Sequence, residues 1–97
     1  MMRAAAASTT RLLRVMANED RLLLLCQLSH GECAVGELEE RLDIRQPTLS
    51  QQLAVLRAEG VVSTRREGKH IHYRIGEERV LALLRSLHQL FCKHEGI

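Results

Sequence analysis

Cys26, Cys33 and Cys92 are the residues of this 97-residue chain with the widest chemistry. A thiolate can attack, be oxidised or bind a soft metal, whereas a thiol buried in a core is inert. Cys26 closes the run "RLLLLC", where leucine neighbours suit a small hydrophobe as well as they suit a placed thiol. Cys33 follows in "SHGEC", in the loop before a third helix, and reads as incidental, open to exposure and side oxidation. Local pairs could also bind metal: His88 with Cys92 at i, i+4, Cys92 with His94, and His70 with His72 on one strand face. Two ligands do not make a site, because zinc requires four, or three plus water. Three cysteines with no close CxxC pair argue against a disulfide framework and for a reducing, cytoplasmic compartment.

A second set of residues suits nucleic acid. The net charge of +2 is unevenly spread. Residues 1–44 carry five Arg against seven acids (−2), residues 45–74 carry five Arg and one Lys against two Glu (+4), and residues 75–97 balance. A contiguous basic third is the footprint of a nucleic-acid face, or on a blander view an ordinary solvated surface. Within it, "PTLSQQLAVLRAEG" has an apolar stripe of Leu49, Leu53 and Leu56. At about 100° per residue, the opposite face of a helix there holds Pro47, Thr48, Gln51 and Val55, flanked by Ser50. Short polar side chains near a helix N-terminus suit entry into a major groove roughly 12 Å wide. Gln51 can pair with adenine through its amide, and Thr48 and Ser50 can contact bases or phosphates. Arg45 and Gln46, at the helix entrance, are better placed for backbone phosphates. Arg65, Arg66 and Lys69 can follow a phosphate backbone or probe a minor groove from a protruding loop.

The elements that must position these residues follow from periodicity and punctuation. Leu12, Leu13, Val15 and Met16 predict a first helix over about 9–17, after a flexible lead of about residues 1–9. Asn18 can cap a second helix, with Glu19 and Asp20 favourable in its first turn and Leu22, Leu25, Cys26 and Ser29 along one stripe. Gly31 suits a left-handed cap at its end. "AVGELEERLD" places Val35, Leu38 and Leu42 on one face of a short third helix. Pro47 fits the first turn of the fourth helix and Gly60 its end. "VVSTRREGKHIHYRI" is rich in β-branched residues around Gly68, with Ile71, Tyr73 and Ile75 alternating with His72 and Arg74, and so predicts a hairpin with a basic tip. A last helix over about 77–94 carries Val80, Leu83, Leu84, Leu87, Leu90 and Phe91 on its apolar face. The fold class is mostly α, a winged helix-turn-helix in the order α-α-α-α-β-β-α. One domain spans 1–97, whose 17 Leu, one Phe, one Tyr and no Trp make an aliphatic core. So small a domain is marginal alone, and the apolar first and last helices are expected to form a dimer interface. No segment reaches the roughly 18 apolar residues that span a membrane, and the N-terminal apolar stretch is too short for a signal peptide.

"MANEDRLLLLCQL", "AVGELEERLDIRQPTLSQQLAVLRAEGVVSTRREGKHIHYRI" and the closing helix together resemble the ArsR/SmtB family of winged-helix repressors, from about Thr10 onward. The resemblance implies a homodimer, through the first and last helices, on an imperfect palindrome of double-stranded promoter DNA, with an effector that weakens binding. The chain resembles most the sulfide- and redox-responsive branch, that of the biofilm-growth-associated repressors and the haemolysin activator of vibrios. Those proteins carry a Cys closing the leucine run of the second helix and a Cys near the end of the last. Cys26 and Cys92 fall at these positions, 66 residues apart. The branch implies that the two are bridged by a disulfide or a polysulfide chain in response to inorganic persulfide, polysulfide or an oxidant. A direct bridge requires Cα atoms within about 7 Å, a limit a polysulfide relaxes. His88, one turn before Cys92, could assist its ionisation or be a half-exposed helix histidine. Two departures stand out: Arg45 where Ser is more common, and Gln52 where His is. They leave the operator sequence open.

Metal-sensing members of the family offer an alternative. Arsenic-type members carry C-x-C where this chain has Ala34 and Gly36, with a single Cys33 one place early. Aligning the zinc-type pattern on His88 puts Ile75, Glu77 and Phe91 at the other ligand positions, two of which cannot bind metal. The expectation is therefore a dimeric cytoplasmic repressor with sensor thiols Cys26 and Cys92, and with no metal, cofactor or membrane partner. A winged-helix module for protein interaction, without DNA, is the rival from another class. No Ser-His-Asp set, paired carboxylates or phosphate loop stands out to suggest an enzyme.

Overall fold

The computed structural model describes residues 2–91. They run α1 (Met2–Met16), α2 (Glu19–Leu28), β1 (Cys33–Ala34), α3 (Val35–Leu42), α4 (Thr48–Ala58), β2 (Val62–Glu67), β3 (His70–Ile75) and α5 (Glu78–Phe91). The helix-turn-helix pair is α3–α4 and the wing is β2–β3, as the sequence predicts. Two corrections concern the flanks. The first helix begins at Met2 rather than near residue 9, so residues 2–9 are helical. Ala4, Ala5, Ala6 and Ala7 are strong helix formers that lose no side-chain entropy, and they carry the helix back past its apolar stripe. A third strand, β1, also joins the wing, making an antiparallel sheet in the order β1-β3-β2. Two residues carry no periodicity of their own, and Cys33 and Ala34 become a strand only by pairing with Tyr73 and His72.

Several boundaries of these elements have a physical cause. Asn18 is extended, and its side chain accepts the Arg21 N–H at 3.0 Å, the expected cap. Glu37 reaches back to accept the Ala34 N–H at 2.9 Å, holding the entrance to α3. Asp43 ends α3 in the left-handed region at φ 53. Gly60 at φ 74 releases the chain from α4, and Gly68 at φ 62 turns the hairpin, conformations that a Cβ disfavours.

The core is one cluster centred on α2 and α4. Leu24, Leu25, Leu38, Leu49, Leu56 and Val80 are fully buried, and Leu53 and Leu84 nearly so. In α2 the buried positions are Leu24, Leu25 and Leu28, which differs from the expected stripe. Four consecutive leucines surround the helix, so sequence alone does not choose the phase. With this phase Cys26 turns outward, while Leu22 is only partly buried and Leu23 is 40% exposed.

One side chain ties three helices together. The Arg21 guanidinium donates from Nε to the Val15 carbonyl (2.5 Å), from Nη2 to the Arg14 carbonyl (3.1 Å) and from Nη1 to Gln52 Oε1 (2.9 Å). A cation at the end of α1 satisfies carbonyls that have no partner within the helix. The same group fixes Gln52 on α4.

Candidate nucleic-acid interface and thiol site

Burial of Leu49, Leu53 and Leu56 sets the rotation of α4. The face turned away from the core carries Gln51 and Val55, both exposed, with Thr48 half-buried at the first turn. Gln51 makes no hydrogen bond to any described side chain, so its amide is available for a base edge. Gln46 and Ser50 are exposed but bonded to each other: Gln46 Oε1 accepts from the Ser50 N–H at 3.1 Å and from its hydroxyl at 2.6 Å. Gln46 thus acts as the side-chain cap that Pro47 cannot provide. Arg45 is almost fully solvated and 4.0 Å from Asp43. Of the two departures from the family pattern, Arg45 lies at the open entrance of α4, whereas Gln52 belongs to the contact with Arg21.

The wing separates its predicted cations. The pairings Ser63↔Arg74, Arg65↔His72 and Glu67↔His70 share one face, and Val62↔Ile75, Thr64↔Tyr73 and Arg66↔Ile71 the other. Arg65 and Arg66 therefore point to opposite sides, and Lys69 sits in the turn. Arg66 reaches only the Gly68 carbonyl at 3.4 Å. Arg65 is occupied: Glu32 accepts from its Nε at 2.9 Å through both carboxylate oxygens, and from Nη2 at 2.6 Å. Glu67 lies 3.6 Å from its Nη1. His72 approaches the same carboxylates, Glu32 at 4.0 Å and Glu67 at 3.5 Å. The hydrogen bond from Arg65, followed by the charges of Arg65, His72 and Arg74, holds the Glu32 carboxyl below its ordinary range. Sequence reasoning missed Glu32. An acid in a loop between α2 and β1 carries no local signal of a partner on the wing.

The two described cysteines lie in opposite environments, and of the two it is Cys33 that departs from expectation. Cys26 is exposed on α2, one turn before Ser29, whose hydroxyl donates to the Cys26 carbonyl at 2.6 Å. Cys33, expected as an incidental loop thiol open to oxidation, is 2% exposed. Its pairing with Tyr73 draws it under the sheet, and Arg41 Nη1 lies 3.8 Å from its sulfur. Cys92 lies outside the described residues, as does His94. His88 is half-buried, and its Nε2 is buried without a hydrogen-bond partner among the described residues. Among the described residues no three His, Cys, Asp or Glu side chains converge to hold a metal ion, and no helix is long and apolar enough to cross a membrane.

A helix pair with an outward polar face on its second member, followed by a charged hairpin, defines a winged helix-turn-helix regulator. Residues 18–64 match the family described as bacterial regulatory protein, arsR family. Over 93% of its length the chain is 52% identical to a biofilm growth-associated repressor of Agrobacterium fabrum, covering 77% of that protein. The fold superposes on reduced HlyU from Vibrio cholerae with a TM-score of 0.90 at 44% identity, covering 94% of this chain and 96% of that one. It superposes equally, at 0.90 and 46% identity, on the transcriptional repressor BigR from Xylella fastidiosa, covering 94% and 93%. The chain belongs to the arsR family of bacterial regulatory proteins, in the branch that the sequence resembles. It is a transcriptional regulator and not an enzyme.

Proposed function

We propose that this protein is a homodimeric cytoplasmic repressor that binds an imperfect palindrome in promoter DNA and releases it when Cys26 and Cys92 are bridged. The observation that carries the DNA reading is the orientation of α4, whose buried leucines leave Gln51 outward, its side chain without a hydrogen bond among the described residues. In this reading Gln51 and Thr48 touch base edges, and Arg45, Arg66 and Lys69 contact phosphates. Gln46 and Ser50 fix the start of the helix and join the interface through the atoms they leave unbonded. Leu13 is 49% exposed, Leu90 71% and Phe91 76%, which fits burial of α1 and α5 against a second copy. Gln51→Ala is expected to weaken binding to the operator by about 1–3 kcal/mol and to leave random DNA nearly unaffected. Fluorescence anisotropy on both DNAs checks this, and equal losses on the two would remove Gln51 from the base readers.

The thiol reading is supported by the exposure of Cys26 on a helix that is otherwise core-facing at its neighbours Leu24, Leu25 and Leu28. It is also supported by likeness to a protein whose structure is specified as its reduced form. Bridging oxidises two thiols, which release two protons and two electrons. One thiolate attacks the polysulfide, breaking an S–S bond, keeping one sulfur as a persulfide and expelling the rest as a shorter sulfide. The second thiolate then displaces hydrosulfide from the persulfide to close the disulfide, so the broken S–S bond takes up the two electrons. The shift is transmitted through α2, because Arg21 on the same helix holds both the end of α1 and Gln52 of α4. Reduced protein, with a chelator present, is expected to bind its own upstream DNA tightly. Inorganic polysulfide should weaken that binding by about tenfold or more, a coupling of about 1.4 kcal/mol, and reductant should restore it. Cys26→Ser should bind DNA normally and ignore polysulfide. Wild-type binding indifferent to polysulfide would end the thiol reading and leave the DNA reading standing.

A further inference from the structure

The wing carries two kinds of cation. Arg66 and Lys69 are exposed and have no carboxylate partner among the described residues, whereas Arg65 is gripped by Glu32 across the face of the sheet. The grip is two-toothed: Nε and Nη2 of the guanidinium both meet the carboxylate, the geometry with which an arginine would otherwise grip a phosphate. Glu32 holds its place because β1 pairs with β3 immediately after it, which fixes the turn from α2 beside the wing. The Glu32 side chain is 28% exposed and that of Arg65 50%, so the carboxylate is the better-sheltered partner and the arginine the one that solvent or a ligand can reach.

We propose that Glu32 is a built-in competitor of the DNA phosphate for Arg65, so that the wing adds this arginine to its DNA contacts only by taking it from the protein's own carboxylate. The inference rests on the DNA-binding reading above. When the wing meets the backbone, the guanidinium exchanges one bidentate anion for another. Glu32 is then left with a negative charge close to a phosphate, and it opposes the complex twice: it occupies the arginine beforehand and repels the backbone afterwards. The carboxyl titrates below its ordinary range, so it is fully ionised at neutral pH and the competition is permanent in that range. Its effect is to set affinity without reading sequence. Operator and random DNA are weakened alike, so the specificity ratio is unchanged and the concentration of protein needed to occupy either DNA rises.

The test is a double-mutant cycle of Glu32→Gln and Arg65→Ala, with anisotropy titrations on operator and random DNA across a range of salt. Glu32→Gln keeps the shape and hydrogen-bonding reach of the side chain and removes the charge, and thermal unfolding confirms that each variant is folded. We expect Glu32→Gln to bind both DNAs about five- to tenfold more tightly, with a log–log salt slope steeper by about 1, because Arg65 then releases a counterion on reaching phosphate. In the Arg65→Ala background the same substitution should change affinity less than about twofold. Unchanged or weaker binding by Glu32→Gln overturns the proposal, because Glu32 would then orient Arg65 rather than withhold it. An equal gain in the Arg65→Ala background also overturns it, because the effect would then be general repulsion. Wild-type protein that binds neither DNA would overturn the DNA reading and this inference with it.

Discussion

Replacing Arg21 with methionine is expected to lower the unfolding free energy by about 2–3 kcal/mol, from hydrogen bonds to a charged donor discounted for the partial exposure of the site. Methionine keeps most of the aliphatic stem and loses the guanidinium. Two acceptors are then stranded, the Val15 carbonyl at the end of α1 and Gln52 Oε1 on α4, while the Arg14 carbonyl keeps the Ala17 N–H at 3.3 Å. Urea unfolding followed by circular dichroism measures the change. A loss below about 0.5 kcal/mol would mean that water satisfies both acceptors. The same variant tests transmission. If α2 passes its shift to α4 through this group, folded Arg21→Met protein will show a smaller polysulfide response in DNA binding than wild type, even where its reduced affinity is normal.

Leu53→Ala is expected to cost about 3–4 kcal/mol, within the range for leucines deleted from a packed core. Leu53 is 2% exposed on the inward face of α4, in the same cluster as Leu24, Leu25 and Leu84. Few aromatic residues surround it to collapse into the gap, since the chain has one Phe and one Tyr. Val55→Ala, two residues on and 37% exposed, supplies the contrast and should stay within about 0.5 kcal/mol of wild type. Both are read from urea unfolding under one set of conditions. Similar costs at the two sites would mean that the outward face of α4 is itself covered.

What the sequence revealed depended on whether a signal was local. The rotation of α4 followed from leucines at helical spacing bounded by Pro47 and Gly60, and the hairpin from β-branched alternation around Gly68. Those two elements hold the residues proposed to face DNA, so the family and the outline of the candidate site were legible from local pattern. Three features were not. The phase of α2 was hidden because "LLLL" satisfies every rotation, and the exposure of Cys26 was hidden with it. The strand at Cys33 depended on Tyr73, which lies in another element. The occupancy of Arg65 depended on Glu32, which is distant in sequence and brought near by that same strand. In each case the deciding contact lay across the fold.

The sheet order has a consequence for solubility. Of its three strands only β3 is paired on both sides, and the two rims differ. One rim is a strand of two residues, Cys33–Ala34, too short to template a ladder with a foreign chain. The other is β2, where Arg65, Arg66 and Glu67 follow one another toward the turn. A second polypeptide zippering along that rim would set charged side chains against its own backbone and strip them of water. A wing that must protrude to work is by its nature an open invitation to edge-to-edge polymerisation. Brevity on one rim and charge on the other withdraw the invitation, and they let the tip of the hairpin project into solvent without becoming a seed for fibrils.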